Sequence, residues 1–463
     1  MGLFAVDRVG TTSMGMRSGF LIGGALIAVG LMLQFSIGPV VYEALAWPVN
    51  GMVFAGFLTM IAMMALLRTR VSAFQFLGSY QAAVPAMVYV VILTIVMGLT
   101  RQDASGGWLH QMLRFWPFVL VYVYMAAVLG MVCVRRWKTF LLHFGLFLAL
   151  VAATLGSADI QRVKMRTAVG HSENLALAPD NMVKSMPFAI ELKRFIMETY
   201  DDGTPRRFAS ELRIKTVEGD SMEVVVDVNK PYEVEGWKIY QYDYDVPLGA
   251  DSQTSILELV RDPWLPLVYT GIYMMFAGAL LLLTYTRWRV KRLLPISILV
   301  AVALAFVSYL MPIIRSTHLV PALQSPWFTP HILVYIISYS LMGVVALMAI
   351  WQLVFRRKIS AMTDNLVYVG LSFFTVGMLF GALWAKEAWG HYWAWDPKET
   401  WAAITWFAYL VYIHYRRLPH HRERVALWML IVAFCLLQFC WWGINYLPSA
   451  RETSVHTYNA DAR

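Results

Sequence analysis

The chain alternates long apolar runs with short polar segments. Eleven runs of about 17–25 residues are each long enough to cross a bilayer as a helix. This pattern predicts an all-α polytopic membrane bundle of about 11 transmembrane helices. The predicted spans are 19–38, 47–67, 82–99, 115–134, 139–156, 264–285, 292–311, 330–355, 366–384, 398–415 and 424–442.

One polar interval, residues 157–262, divides these spans into two groups. Within it, ELRIKTV, SMEVVVDVN and WKIYQYDYD have the composition and alternation of strands, and EGD and NKPYEVEG supply turns. We therefore predict three regions. They are an N-terminal transmembrane region with five spans (1–156), a small β-rich domain (157–262) and a C-terminal transmembrane region (263–463).

Composition supports a membrane protein. The 463 residues are 59% hydrophobic and 14% charged, with a mean hydropathy of +0.56, which excludes an ordinary soluble globule. The three cysteines, Cys133, Cys435 and Cys440, lie in apolar runs and form no C-x-x-C pair. The chain is therefore expected to be neither a thiol oxidoreductase nor itself a c-type cytochrome.

Basic residues alternate between the loops. One set of loops carries 18 of them, and the short loops and tail of the other set carry seven. The positive-inside rule puts the first set in the cytoplasm, which predicts the N-terminus inside, and the C-terminus and the β-rich domain outside. The net charge of +9 is thereby explained by topology and does not indicate nucleic acid.

The densest polar and aromatic cluster is WGHYWAWDPKETW, from Trp389 to Trp401, in a predicted outer loop at 385–401. Asp396, Pro397 and Glu399 predict the capped start of the following helix. Flat aromatic faces beside cationic side chains suit a large, flat, apolar ligand with acidic edges. The alternative is an interfacial aromatic belt, where tryptophan and tyrosine are commonly enriched.

Two histidines lie inside predicted spans. His143 is in the first turns of the fifth span, just past a basic loop. His414 is about 17 residues into the tenth span, or roughly 25 Å below the outer surface, so both lie in the inner half. Ionisable residues inside spans are functional candidates, and two at one depth could ligate a single metal axially. They could equally be two unrelated interfacial histidines.

Two other histidines lie at the level of the aromatic loop. His331 begins the eighth span after a Thr-Pro pair, and His456 is in the outer tail. A bis-histidine haem site beside the loop would account for both histidines and the loop. Tryptophan faces would stack on the porphyrin, while Lys386, Lys398 or Arg451 would meet its propionates.

Several segments resemble a known family. WGHYWAWDPKETW resembles the "WWD" signature of haem-handling membrane proteins. SPWFTPHILVYIISYS and ITWFAYLVYIHYR resemble the flanking histidine segments of CcsA/ResC-type proteins, and FLLHFGLFLALVAATLGSADIQ resembles the histidine-bearing span of their ResB/CcsB partners. NKPYEVEGWKIYQYDYD and DPWLPLVYTGIYMMFAGALLLL resemble the end of the ResB outer domain and its next span. The chain as a whole is similar to fused System II cytochrome c synthases, the CcsBA family.

The resemblance implies a role for each candidate residue. His143 and His414 would ligate haem b on its way out, and His331 and His456 would ligate it at the attachment site as the catalytic pair. The loop would hold the porphyrin, through Trp389, Tyr392, Trp393, Trp395, Asp396 and Trp401. His456 stands in SVHTYN, which departs from the family's G-L-H-S-Y-G stretch.

The resemblance also implies partners and a location. The protein would attach haem to the C-x-x-C-H motif of apocytochrome c, with a separate thioredoxin-like reductant keeping the thiols reduced. It would be a multi-pass protein of the bacterial cytoplasmic membrane with its active site facing the periplasm. Two alternatives stay open: a haem transporter or chaperone without attachment chemistry, and a structural subunit of a membrane complex.

Overall fold

The computed structural model describes residues 14–103, 106–136, 139–285, 318–447 and 450. Its long helices coincide with ten of the eleven predicted spans, and the predicted span at 292–311 lies outside the described residues. Eight of the described helices are long and apolar enough to cross a membrane. The predicted multi-pass membrane protein is therefore confirmed at this level.

The helices of the described residues are numbered α1 to α11 in chain order; α3 has six residues and α6 has 17. Their bounds are α1 Met16–Ile37, α2 Val49–Leu67, α3 Ser72–Leu77, α4 Tyr80–Leu99, α5 Trp116–Arg135, α6 Phe140–Gly156, α7 Leu265–Tyr285, α8 Phe328–Val354, α9 Ala361–Trp389, α10 Pro397–Tyr415 and α11 Glu423–Trp441.

Between α6 and α7 the chain forms one eight-stranded antiparallel sheet, as the sequence predicted for a β-rich domain. The strand order is β5-β4-β3-β2-β1-β8-β7-β6. Part of NKPYEVEG, predicted as a turn, is instead the edge strand β6, because Tyr232 pairs with Ile239 of β7. The strands are β1 Gln161–Ala168, β2 Ser172–Leu177, β3 Val183–Thr199, β4 Pro205–Thr216, β5 Ser221–Asp227, β6 Tyr232–Val234, β7 Trp237–Tyr244 and β8 Thr254–Arg261.

Strand alternation builds the core of the sheet. In β1, Val163 and Met165 are 1% and 0% exposed, while the intervening Lys164 faces solvent. The sheet curls so that β4 meets β7, where the buried Ser210 hydroxyl donates to Gln241 Oε1 at 2.6 Å. The domain is thus a compact body with its own apolar interior.

Both connections to the sheet leave from one end of the helical bundle. Chain direction puts the last residue of α6 and the first of α7 at this end, and the first residue of α6 and the last of α10 at the opposite end. Asp159, just after α6, accepts hydrogen bonds from Asn50 Nδ2 (2.7 Å), Trp47 N (2.8 Å) and Trp264 Nε1 (2.7 Å). Partial burial opposes ionisation, but these donors hold the pKa of Asp159 below its usual value.

Glycines allow two helix pairs to approach closely. A Cβ at Gly271 of α7 would lie 2.6 Å from the carbonyl oxygen of Gly145 in α6. A Cβ at Gly98 of α4 would lie 2.9 Å from Trp401 Nε1 in α10. Small residues at such contacts are typical of membrane helix interfaces. The first contact fixes α6 two residues beyond His143, and the second brings α4 against α10.

Candidate functional site

The structure brings the imidazole rings of His143 on α6 and His414 on α10 close together. Their ring centroids are 6.4 Å apart and their planes are nearly perpendicular, at 84°. Both rings lie at the end of the bundle opposite the sheet, because His143 is near the start of α6 and His414 near the end of α10. Two histidines from different helices therefore share one space inside the bundle.

Local hydrogen bonds fix the tautomer of each ring. His143 Nδ1 donates to the carbonyl oxygen of Thr139 at 2.9 Å, and His414 Nδ1 donates to that of Leu410 at 2.8 Å. Since a carbonyl oxygen only accepts, the proton of each neutral ring is on Nδ1 and the lone pair on Nε2. A metal-ligating imidazole needs this arrangement, with one nitrogen anchored and the other available.

The two rings line a cavity of about 280 Å³. Its walls are mainly apolar. They come from helices that precede the β domain in the sequence and from helices that follow it, including Met87 of α4, Leu129 of α5, Met275 of α7 and Phe407 of α10. A large, mostly apolar pocket with a few convergent polar groups is the usual form of a ligand site. The polar part of the lining comprises Ser79, Tyr80, Arg135, Arg136, Thr139, His143, Tyr368, Ser372, Thr375, His414 and Arg417.

Three arginines belong to this lining. The Arg136 guanidinium lies 4.4 Å from the centroid of the Tyr80 ring, and the Tyr80 ring meets His414 edge-on at 5.9 Å. Arg417 donates to the hydroxyl of Tyr368 at 2.6 Å. Arg135 is the third. The cavity therefore combines an apolar body, two imidazoles and a positively charged rim.

At the other end of the bundle, His331 packs into a groove on α9. His331 Nδ1 donates to the carbonyl oxygen of Gly377 at 2.8 Å. A Cβ at Gly381 would lie 2.8 Å from His331 Cε1, so the ring needs glycine there. Trp384 lies on the same side of α9, with its ring centroid 5.7 Å from that of His331.

The aromatic loop continues from this groove. Trp389, the last residue of α9, lies 5.0 Å from Trp384, and the ring of His391 stacks on Trp389 at 6.3 Å. Trp393 meets Trp395 edge-on at 5.8 Å. His331 and the start of the loop are thus joined by a continuous run of aromatic contacts through Trp384.

The end of the loop is a fixed helix cap. Asp396 and Glu399 form the predicted capping box, with Pro397 at the first helical position. Trp395 has φ of +57°, a left-handed conformation that is uncommon for a bulky residue and is held here by the cap. Trp401 is 4% exposed, and its ring packs against that of Phe439 of α11 with centroids 4.2 Å apart.

A second cavity of about 180 Å³ lies beneath the loop. One wall is the loop itself, with His391, Trp395 and Asp396. The other wall is the end of α4, with Gly98, and the segment that follows it, with Gln102. The helices that precede the β domain therefore line both cavities, one at each end of the bundle.

The β domain rests on the start of the loop. Arg162 of β1 donates to the carbonyl oxygen of Gly390 at 3.0 Å. Lys386 of α9 donates to the same oxygen at 3.1 Å and pairs with Asp262 at 3.8 Å. Lys386 was expected from sequence to be one of three residues able to meet propionates, whereas its ammonium is buried here between Asp262 and Gly390.

Residues 451–463 lie outside the described part of the chain, so His456 and Arg451 stay sequence predictions. Among the described residues, no group of three or more histidine, cysteine, aspartate or glutamate side chains could hold a metal ion. His143 and His414 form a pair of two imidazoles.

Comparison with known proteins finds two families in succession. Residues 130–255 match the ResB-like family, and residues 264–450 match the cytochrome C assembly protein family. CcsA of Heterosigma akashiwo is 31% identical over 242 residues, covering 40% of this chain and 74% of that protein. CcsA of Synechococcus sp. (strain CC9902) is 32% identical over 223 residues, covering 38% and 72%.

The chain belongs to the CcsA family of cytochrome c biogenesis proteins. Its ResB-like region precedes its CcsA region, in agreement with the resemblance to fused ResB and CcsA proteins. CcsA of Chlamydomonas reinhardtii is 34% identical over 170 residues. This match covers 33% of this chain and about half of the relative, 47% of its length.

The two regions each supply one imidazole of the first cavity. His143 lies in the ResB-like region and His414 in the CcsA region. Tyr80, which contacts His414, lies in neither. The cavity exists only where the two regions and the preceding helices pack together.

Tyr80 and the three arginines of the cavity lining were not singled out from sequence. Tyr80 sits at the start of an apolar span, where nothing in the pattern marks it. Arg135, Arg136 and Arg417 were counted only as basic residues that set topology. The spacing of Arg417, three residues after His414, was a usable signal, because such residues lie on the same side of a helix.

Proposed function

We propose that this protein carries haem across the membrane and attaches it covalently to apocytochrome c on the far side. The observation that carries the proposal is the pairing of His143 and His414 across an apolar cavity built jointly by the ResB-like and CcsA regions. Membership of a cytochrome c biogenesis family supports a role in cytochrome c maturation.

The geometry of the inner pair fits axial ligation of haem iron. A metal–imidazole bond is about 2 Å long and the ring centroid lies about 1 Å behind the nitrogen, so two imidazoles across one iron have centroids about 6 Å apart. The observed separation is 6.4 Å. Since both Nδ1 atoms donate to helix carbonyls, Nε2 of each ring is the ligating atom.

The charged rim gives the ligand an orientation. Haem b is flat and apolar except for two carboxylates at one edge, and guanidinium groups bind carboxylates with charge-assisted hydrogen bonds. Arg135, Arg136 and Arg417 therefore receive the propionates, while the ring edge that carries the vinyl groups enters the apolar body of the cavity. This end of the bundle is the cytoplasmic end by the positive-inside rule.

The second step takes place at the aromatic loop. Haem there is ligated by His331 and His456 and stacks on the loop tryptophans. Each thiol of the C-x-x-C-H motif adds across one vinyl group, so that sulfur bonds to one vinyl carbon and the hydrogen goes to the other, with no net change in electrons. The motif's own histidine then replaces one enzyme imidazole as axial ligand, and the protein contributes by positioning vinyl groups against thiols.

Two further elements belong to this proposal. The acceptor thiols must be reduced. A thioredoxin-like partner supplies the electrons, because the sequence contains no C-x-x-C pair that could do so. The protein lies in the bacterial cytoplasmic membrane with the N-terminus inside and the β domain, the aromatic loop and the C-terminus in the periplasm.

A visible spectrum of the purified protein tests the proposal. We expect a Soret band from bis-histidine haem that weakens in His143→Gly and His414→Gly and returns when imidazole is added. His331→Gly and His456→Gly should also lose covalent product when apocytochrome c is co-expressed. The control is His420→Gly, an exposed histidine in the loop after α10.

The same experiment separates the alternatives. A structural subunit would show no Soret band in the wild-type protein. A transporter without attachment chemistry would bind haem but leave the co-expressed apocytochrome without thioether-linked haem. Unchanged haem binding in both inner histidine variants would refute the assignment of the inner ligands.

A further inference from the structure

A buried ion pair joins the β domain to the end of α9. Lys386 Nζ lies 3.8 Å from Asp262 Oδ2, and each side chain is only 4% exposed. Burying two charges is costly unless their remaining polar atoms are also satisfied. Here they are: Lys386 also donates to the carbonyl oxygen of Gly390, and Asp262 Oδ1 accepts from Trp264 N at 3.2 Å.

The bond to Gly390 connects this pair to the aromatic loop. Gly390 ends α9 in a left-handed conformation (φ +72°) and is the residue from which the loop departs. Its carbonyl oxygen accepts from Lys386 at 3.1 Å and from Arg162 of the β domain at 3.0 Å. Arg162 is in turn paired with Glu258 at 3.6 Å.

The sheet also lies close to the Cα atom of Gly390. A Cβ placed there would lie 3.2 Å from both Tyr240 of β7 and Val260 of β8. The turn is therefore enclosed by the sheet and its carbonyl is held by two cations. Asp262 itself lies where β8 ends and α7 begins, so it is tied to the sheet and to the bundle.

We infer that Asp262, Lys386 and Arg162 are positioning residues that set the direction in which the aromatic loop leaves α9. Through them the β domain determines where the porphyrin-stacking side chains stand relative to His331. This inference rests on the proposed function, because it assigns these residues to the outer haem site. It gives the β domain a role in haem attachment in addition to any contact with a partner.

Removing either partner alone leaves the other as a buried group without its main counter-charge. Burial raises the pKa of Asp262 above its usual range, and the ammonium of Lys386 opposes this rise. Asp262→Asn leaves a buried ammonium, and Lys386→Met leaves a buried carboxyl group, without its main partner. The double variant removes both charges but also the bond from Lys386 to Gly390.

The test measures the outer site and the inner site separately. Asp262→Asn and Lys386→Met are each placed in a His143→Ala background, where outer-site haem is measured, and in a His331→Ala background, where inner-site haem is measured. Purified proteins in detergent are titrated with haemin and followed by the Soret band. Lys193→Met, which breaks the more exposed pair with Glu191, is the control.

We expect both substitutions to weaken outer-site binding by about 10- to 100-fold, as for residues that orient a ligand through another group. Made singly in the otherwise wild-type protein, they should lower cytochrome c formation by a similar factor. Haem binding at the inner site should stay within about twofold of that of the His331→Ala protein, which is small beside the loss expected at the outer site. Equal losses at both sites would mean a purely structural role and overturn the inference, as would no loss at the outer site.

Asp262→Asn also separates positioning from direct ligand binding by Lys386. If Lys386 served the propionates, releasing it from Asp262 would preserve or strengthen outer-site binding, which would overturn the inference. If the wild-type protein forms no thioether product, the proposed function fails. If the wild-type protein is active and the variants match it, only the positioning role fails.

Discussion

Replacing Tyr80 tests whether the helices before the ResB-like region take part in haem binding. The Tyr80 ring meets His414 edge-on at 5.9 Å and carries the Arg136 guanidinium at 4.4 Å. Tyr80→Ala removes both contacts, one from an imidazole that ligates iron and one from an arginine that receives a propionate in the proposed site. We therefore expect weaker haem binding at the inner site.

The two contacts set the size of the effect. An aromatic edge contact contributes about 0.5–1.5 kcal/mol, and a cation–π contact about 0.5–1 kcal/mol. Together they amount to about 1–2.5 kcal/mol. The part of this energy that falls on the haem-bound state alone raises Kd, by up to about 70-fold when all of it does. Tyr80→Phe keeps the ring and should bind within about twofold of wild type on the same reasoning.

The assay is a haemin titration of the purified protein in a His331→Ala background, followed at the Soret band. Tyr89→Ala removes a ring of the same size from α4, where it donates to the carbonyl oxygen of Phe20 rather than contacting the cavity. A Tyr80→Ala protein that binds like wild type, or a Tyr89→Ala protein that loses as much affinity, would refute the reasoning.

Two further predictions concern the framework. Gly271→Ala would force its Cβ to 2.6 Å from the carbonyl oxygen of Gly145. Because overpacking of this kind costs about 1–3 kcal/mol, we expect a lower Tm and weaker haem binding at His143. The control is Gly56→Ala, whose Cβ would lie in open space and which should leave both unchanged. Asp159 has a depressed pKa, so its stabilisation is full above the ordinary value of 3.8 and is lost as pH falls through the folded value. The Tm difference between wild type and Asp159→Asn should therefore shrink in acid, and a constant difference would contradict this.

The sequence alone determined the helices and one local motif. Apolar runs long enough to span a bilayer are a property of consecutive residues, which is why ten predicted spans coincide with helices. The capping box of Asp396 and Glu399 was also predictable, because all of its atoms lie within one turn of chain. Strand alternation predicted the β domain but missed the short edge strand β6, whose pairing with β7 decides its conformation.

Only the tertiary structure decided which residues share a site. Hydropathy placed His143 and His414 at a similar depth, but which helices are neighbours depends on close packing such as that of Gly145 with Gly271. Arg162 and Gly390 are 228 residues apart and meet because the sheet folds back onto the loop. The sequence does not show which group a charged residue pairs with. Lys386 was therefore interpreted from sequence as a propionate ligand, whereas the fold pairs it with Asp262.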